Sequence, residues 1–562
     1  MSLPSAVFLD ERRLLRGPWQ AFERDVARLL LANGFDDVRV VGGVGDKGGD
    51  ILAVRERMQW VVQCKYTSNS PPPTCAINEV VEAAQYYKAD CLMVASSRPP
   101  SDALMQEKKR YENLGLRIDI AGPRTLLTLM ERTPEYPLAR RVLYPYQEDV
   151  SSRLREALLD TGRGQIVLAT GLGKTLIMAE LTADLLRDGL VSDDRVLVLA
   201  HTRELVEQLQ RSFWYQLPKS IATHRLTGVE EPSFWDGITF ATIQSVVARL
   251  DNLPRFGLVL VDEAHHIGAD SFRRTIEALN PPMLGGVTAT PWRGDGYDLD
   301  ELLGRPLVRM GIAEGLQQGF LTEVDYRLLA DNIDWHCVQE ASRNNYSLGQ
   351  LNKRLIIPTR DDEAARYVWE VFHSEKRRGG IVFSPSIPHA QAFCGALRRY
   401  GFRAEAISSE THPREREMFM SQFRGGQLDL VATVDLFNEG VDVPDVDLIV
   451  FLRATHSRRI FVQQLGRGLR ISPGKTKTVV LDFVTDLRRL AEVLELDQAV
   501  RGGDVERMGL GHHLLQFRDI SAGSFLREWI IDQASLFQRE DDAVLDLPQF
   551  EYPEPPHPGG VQ

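Results

Sequence analysis

At 562 residues the chain is too long for one hydrophobic core, so three or four domains are expected. With 43% hydrophobic and 26% charged residues and no apolar run long enough to span a bilayer, it reads as a globular chain with no membrane partner. The net charge of −12 excludes non-specific coating of nucleic acid but not a local basic channel, since phosphate contacts need only a local basic surface.

Residues 1–16 lack the apolar segment and small-residue cleavage site of a secretory signal. Five cysteines (Cys64, Cys75, Cys91, Cys337, Cys394) show no paired spacing, which argues against a zinc module or disulfide framework and fits a reducing cytoplasm. Residues 19–34 predict an amphipathic helix: Phe22, Val26, Leu29 and Leu30 share a stripe, Glu23 sits beside it, and Gly34 ends it. A short strand over 38–41, a Gly-rich turn over 42–49 and strands over 50–54 and 60–65 follow. Alternation puts Val61, Gln63 and Lys65 on one strand face and Trp60, Val62 and Cys64 on the other. If the two strands pair, Asp50 lies next to Gln63 and Lys65. That is the constellation metal-dependent phosphodiester cleavage needs. A carboxylate holds a hard cation, the cation activates water, and a lysine stabilises the developing charge. Taken alone, Asp50 also fits a turn cap and Lys65 a solvated strand residue.

Together, Phe22-Glu23, the turn Gly45-Asp46-Lys47-Gly48-Gly49-Asp50 and Gln63-Cys64-Lys65 resemble the Mrr-type branch of the restriction-endonuclease-like, PD-(D/E)xK nucleases. The resemblance runs over about 17–131 and includes a helix over 77–87, a strand over 91–96 and the run 117–120. It implies that Asp50 is the main metal ligand and Lys65 is catalytic, with Glu23 assisting. Gln63 stands as a neutral ligand where many relatives have Glu.

Residues 132–143, broken by Pro134 and Pro137, read as a connector. Tyr144-Pro145-Tyr146-Gln147 opens a helix running through Leu154 and Leu158, and 166–169 is an apolar strand. It leads into Thr170-Gly171-Leu172-Gly173-Lys174-Thr175 and a helix over 176–187. Strand, Gly-rich loop, Lys-Thr and helix read as a phosphate loop, in which backbone N–H groups are expected to wrap phosphates, Lys174 to reach the β and γ phosphates and Thr175 to bind magnesium. Taken alone, the loop also fits a Gly-rich strand-to-helix turn with a solvated Lys174. Leu168 stands where the strict pattern asks for Gly. Further on, the buried-strand run 258–261 ends at Asp262-Glu263-Ala264-His265. Asp262 is expected to hold magnesium and Glu263 to polarise the attacking water.

Over about 144–486 the motifs follow in the order found in superfamily 2 helicases and translocases, which this region resembles. Gln147 matches the adenine-side glutamine. Ala200-His201-Thr202-Arg203-Glu204-Leu205 and Ala241-Thr242-Ile243-Gln244 match motifs on the nucleic-acid side, and Thr288-Ala289-Thr290-Pro291 matches the coupling motif. Ile381-Val382-Phe383-Ser384 begins a second RecA-like domain, completed by Asn438-Glu439-Gly440-Val441-Asp442 and Gln463-Gln464-Leu465-Gly466-Arg467-Gly468-Leu469-Arg470. The resemblance implies that Gly440, Asp442 and Gln463 serve the ATP site and that Arg467 and Arg470 act as arginine fingers. Thr290-Pro291-Trp292-Arg293-Gly294-Asp295-Gly296 points to the DNA-directed branch that includes restriction motors. His265 and His266 fit the motif as polar relays, not metal ligands.

After the motor, 487–500 reads as a helix and 524–536 as another helical segment, with no assignable motif. The acidic, Pro-rich run 540–562 reads as a disordered tail. The expected fold is α/β throughout. A nuclease domain over 1–135 precedes two RecA-like parallel-sheet domains over 136–316 and 317–488, then a small helical region over 489–562. The expected cofactors are ATP and Mg2+. The expected partner is DNA, duplex, single-stranded or forked, with a specificity subunit or self-association left open. The leading function is an ATP-dependent translocase or helicase with its own nuclease, used in restriction or defence. A repair helicase whose nuclease domain mainly binds DNA, and an ATP-gated binding switch, remain the alternatives.

Overall fold

The computed structural model describes residues 7–41, 48–264, 270–289, 299–328, 361–434, 446–452, 468–472, 474–483 and 508–509. The chain forms two compact units, one built on Met1–Gly311 and one on the residues from Ile312 onward.

The first unit holds two sheets. Its N-terminal part runs through helices α1 (Glu11–Arg16) and α2 (Trp19–Ala32), then strands β1 (Asp36–Val40), β2 (Ile51–Arg55) and β3 (Met58–Lys65). Helix α3 (Cys75–Tyr87), strand β4 (Cys91–Ser96), helix α4 (Asp102–Glu112), strand β5 (Ile118–Ala121) and helix α5 (Pro123–Arg132) complete it. The sheet order is β1-β2-β3-β4-β5, antiparallel for the first three strands and parallel for the last three. The alternation expected along 60–65 sorts the core. Val62 and Cys64 pack with Phe22, Val26, Leu29 and Leu30 of α2, whereas Val61 packs with Ile77, Val80 and Ala84 of α3.

The connector leads to α6 (Pro145–Thr161), β6 (Arg163–Leu168), α7 (Lys174–Arg187), β7 (Arg195–Ala200) and α8 (Arg203–Trp214). Strands β8 (Thr223–Leu226), β9 (Gly237–Thr242), β10 (Leu258–Asp262), β11 (Met283–Thr288) and β12 (Pro306–Met310) follow. They form an all-parallel sheet in the order β12-β6-β11-β10-β7-β9-β8. Leu258, Val259, Leu260 and Val261 are all fully buried, as expected for a central strand covered on both faces.

Helix α2 is buried on two sides. Its polar flank reaches the second sheet, where Arg24 makes a two-pronged ion pair with Glu230, the longer contact being 2.6 Å. Arg28 donates to the carbonyls of Ile221 (2.7 Å) and Pro218 (3.0 Å) and stacks over Phe8. Arg13 pairs with Asp236 at 2.5 Å, and the Phe8 amide donates to the Lys219 carbonyl at 2.8 Å. Trp214 and Ala222 complete the N-terminal core. The two sheets of this unit therefore share buried charge and buried apolar area.

The second unit carries β13 (Glu323–Leu328), β14 (Gly380–Phe383), β15 (Ala404–Ile407), β16 (Leu430–Thr433), β17 (Leu448–Phe451), β18 (Lys477–Asp482) and β19 (Met508–Gly509). These form a parallel sheet in the order β15-β16-β14-β17-β18-β13-β19. Helices Asp361–Ser374 and Ile387–Arg399 bury Val368, Val371, Phe393 and Leu397 against it. The fold is thus the expected α/β arrangement of a mixed N-terminal sheet followed by two parallel sheets. Among the described residues no helix is long and apolar enough to cross a membrane. The helices expected over 487–500 and 524–536 and the tail over 540–562 lie outside the described residues.

Candidate nuclease and nucleotide sites

Strands β2 and β3 pair with Ile51 opposite Val62 and Leu52 opposite Val61. Asp50 precedes β2 and continues the ladder, its amide donating to the Val62 carbonyl at 2.9 Å. Its buried carboxylate accepts on Oδ2 from the Cys64 amide (2.6 Å) and from Gln63 Nε2 (2.7 Å). Gln63 Nε2 also leans on the Cys64 carbonyl at 3.4 Å. Both neighbours of that nitrogen are acceptors, so the amide orientation is set, and Gln63 Oε1 is left buried without a hydrogen-bond partner. Glu23, on α2, is buried as well. Burial, then the charges of Asp50 and Glu23, push the Cys64 thiol well above its usual range.

The expected approach of Asp50 and Gln63 is present. The Lys65 ammonium is paired instead with Glu79 of α3, at 2.5 Å. Burial works to lower the Lys65 pKa, but the hydrogen bond and charge of Glu79 outweigh it, so the ammonium is held above the ordinary lysine range. Sequence reasoning missed Glu79. The signal was a carboxylate one turn from Ala76 and Ala83 on a helix whose other neighbours, Ile77, Val80, Val81 and Ala84, are all buried. Asp46 and Lys47 of the Gly-rich turn lie outside the described residues.

Among the described residues no group of three or more His, Cys, Asp or Glu side chains is arranged to hold a metal. The donor set at this site is the Asp50 carboxylate and the Gln63 amide oxygen. An orphaned, buried Gln63 oxygen beside a carboxylate fits a hard cation, and magnesium typically takes one or two carboxylates and keeps several waters.

In the second sheet, β6 feeds the phosphate loop. Gly171 and Gly173 take positive φ values of 95° and 83°, and α7 starts at Lys174. Lys174 Nζ donates to the Leu168 carbonyl at 3.1 Å. Tyr146 Oη and Gln147 Nε2 both donate to the Leu172 carbonyl, at 2.8 and 3.1 Å. Gln147 Oε1 accepts from the Tyr144 amide at 2.9 Å, closing the cap of α6. A Cβ on Gly173 would run into Gln147 Nε2. Gln147, expected on the adenine side, is here buried and committed to the loop's backbone and the helix cap. Thr175 opens α7 behind Lys174 and is half-buried, and Thr170 lies at the mouth of the loop.

Asp262 ends β10, parallel to β7 and β11, and Glu263 follows it at φ 49°. Burial and the Glu263 charge raise the Asp262 pKa, against the pull of Lys174 and His201. Two carboxylates and one lysine therefore share one electrostatic environment, as a magnesium–phosphate site requires. Thr202 caps α8 by accepting from the Leu205 amide at 3.2 Å, and Thr242 bonds Ser245 at 2.8 Å, so both expected nucleic-acid motifs lie at the ends of parallel strands. In the second unit the Arg470 carbonyl accepts from Thr322 Oγ1 at 2.9 Å. His265, His266, Thr290 to Gly296, Gly440, Asp442, Gln463 and Arg467 lie outside the described residues.

Three family models match successive segments of the chain. Residues 14–117 match the restriction endonuclease family of Mrr catalytic type, and 140–293 match the type III restriction enzyme, res subunit, family. Residues 363–472 match the helicase conserved C-terminal domain. The chain is 28% identical over 379 residues to the putative mitochondrial ATP-dependent helicase irc3 of Schizosaccharomyces pombe, covering 64% of this chain and 60% of that protein. It is 26% identical over 358 residues to the DNA 3'-5' translocase XPB2 of Sulfurisphaera tokodaii, covering 57% of this chain and 78% of that one. The chain spans 60% and 51% of the lengths of the two yeast helicases it matches. A solved ATP-dependent type ISP restriction-modification enzyme, LlaBIII bound to DNA, aligns with 82% of this chain and 36% of that one, at 17% identity and a TM-score of 0.48.

Proposed function

From a chain that joins an N-terminal Mrr-type restriction-endonuclease domain to a superfamily 2 helicase motor, we propose an ATP-driven DNA translocase that cuts the DNA it moves on and acts in restriction of foreign DNA. The observation that carries this reading is the buried Asp50–Gln63 pair with its orphaned amide oxygen, in the same compact unit as the phosphate loop. A nuclease fold kept only for binding has no need to bury a carboxylate against an unsatisfied oxygen, which costs about 1–3 kcal/mol. The proposed domain limits are 135/136, 316/317 and 488/489.

Asp50 and Gln63 would hold the cation, and Glu23 would add negative potential from α2. Magnesium, when bound, supplies an activated water and charge neutralisation at the scissile phosphate. Lys65 presents its ammonium to the phosphate oxygens, where it stabilises the charge that develops on cleavage. In the motor, Thr170 to Thr175 wrap the ATP phosphates, and Lys174 leaves the Leu168 carbonyl to meet them. Asp262 and Thr175 would hold the nucleotide's magnesium, and Glu263 would orient the attacking water. DNA is the track, in keeping with the similarity to a DNA translocase.

The test is ATP hydrolysis with and without long duplex DNA, in wild type and Lys174→Ala. DNA is expected to stimulate the wild type, and K174A to hydrolyse at background. Wild-type hydrolysis by K174A would overturn the motor assignment.

A further inference from the structure

We propose that Glu79 is a positioning residue for DNA cutting: it anchors Lys65 and, through the backbone of α3, the turn that carries Asp50. This rests on the nuclease reading above.

Three observations meet at this one residue. Glu79 Oε2 lies 2.5 Å from Lys65 Nζ, with both side chains only partly exposed, at 34% and 22%. A half-buried pair is screened less than a surface pair, so the contact is strong enough to choose a rotamer. A free lysine side chain samples many rotamers, and a fixed partner removes that freedom. The helix that carries Glu79 is itself fixed, since Ala76, Ile77, Val80, Ala83 and Tyr87 are buried against the sheet.

The second observation is the approach of the catalytic turn to the same helix. Gly48 has φ +80°, and a Cβ there would sit 2.5 Å from the Glu79 carbonyl oxygen and 2.6 Å from the Glu79 Cβ. A Cβ on Gly49 would meet Val61 and Ala83 at 2.9 and 3.0 Å. The backbone of Gly48, two residues before Asp50, therefore packs directly on the backbone of Glu79. The main-chain half of Glu79 sets the height of the Asp50 turn, and its side-chain half sets the reach of Lys65.

The third observation is charge balance. Gln63 is neutral, so the strand that presents Lys65 offers it no acid two residues away. Asp50 adds negative charge near Lys65, and Glu79 is the acid in direct contact with its ammonium.

The experiment uses the full-length protein and a duplex substrate, with single-turnover cutting in magnesium, DNA affinity in calcium, and thermal melting. The variants are Glu79→Gln, Glu79→Asp, Lys65→Ala and Asp50→Ala. Glu79→Gln keeps the shape and removes the charge. It is expected to lower the cutting rate constant about 10- to 100-fold, the usual cost of losing a supporting partner, with DNA affinity and Tm unchanged. Glu79→Asp is expected to recover part of that rate. Wild-type cutting by Glu79→Gln while Lys65→Ala is inactive overturns the proposal. So does a joint loss of Tm and cutting that Glu79→Asp does not repair, which would make Glu79 only a packing residue. If Lys65→Ala and Asp50→Ala also cut at the wild-type rate, the nuclease reading itself fails.

Discussion

Glu230→Gln probes the joint between the cutting and phosphate-binding parts of the first unit. Arg24 and Glu230 are 206 residues apart in sequence, and their side chains are only 4% and 5% exposed where they meet. A neutral amide at 230 can accept one of the two guanidinium hydrogen bonds but cannot balance its charge. Leaving one member of a buried ion pair unbalanced costs about 3–5 kcal/mol. The loss is capped by the docking energy itself, because separation of the two parts returns Arg24 to water. The undocked population therefore rises by up to about 10²-fold to several thousandfold, at roughly 1.4 kcal/mol per decade. Two assays read this. At about 2 °C per kcal/mol for a unit of this size, Tm is expected to drop by roughly 6–10 °C. Trypsin, which cleaves after arginine, is expected to nick the connector at the exposed Arg140 and Arg141 faster than in wild type. Arg24→Met combined with Glu230→Leu, which replaces the pair by apolar side chains, is expected to recover most of the loss. Unchanged Tm and nicking in Glu230→Gln would refute the joint.

Two further outcomes follow from the same unit. Burial pushes the Asp25 carboxyl up to about 7, against the pull of Arg24, Arg13 and Arg28 and with the push of Glu230. The folded state then holds a proton that the unfolded state, with a pKa near 3.9, has released, so stability falls as pH rises from about 4 through about 7. Asp25→Asn removes that dependence, and its Tm gain over wild type is expected to be larger at pH 8 than at pH 5; a gain independent of pH would refute the assignment. Gly173→Ala places a Cβ at φ +83° against the Gln147 amide. The left-handed backbone alone costs about 1–2 kcal/mol, so the kcat/KM for ATP is expected to fall at least about tenfold, and wild-type hydrolysis would show that Gln147 need not seat on the loop.

The local parts were legible in the sequence because each is set by short-range rules. Alternation along 60–65 sorted Val62 and Cys64 from Val61, and the Gly171–Gly173 spacing located the phosphate loop on a strand-to-helix turn. The pairing of Asp50 with Gln63 followed once two adjacent strands were recognised. Contacts that depend on how elements pack were not legible. Nothing near Arg24 in sequence announces Glu230, and nothing near Lys65 announces that its partner comes from the next helix. Gln147 shows the same limit. Its motif identified the residue, but its engagement with the Leu172 carbonyl depends on how α6 seats against the loop.

ATP hydrolysis and DNA cutting at separate sites of one chain are tested by digesting a long duplex in magnesium and ATP with wild type and Asp50→Ala, with ATP hydrolysis followed in the same tubes. Asp50 accepts hydrogen bonds from the Cys64 amide and from Gln63 Nε2, whereas Lys174 of the phosphate loop donates to the Leu168 carbonyl. The wild type is predicted to cut and to hydrolyse ATP, and D50A to hydrolyse ATP at the wild-type rate without cutting. Cutting by D50A at the wild-type rate would contradict the claim.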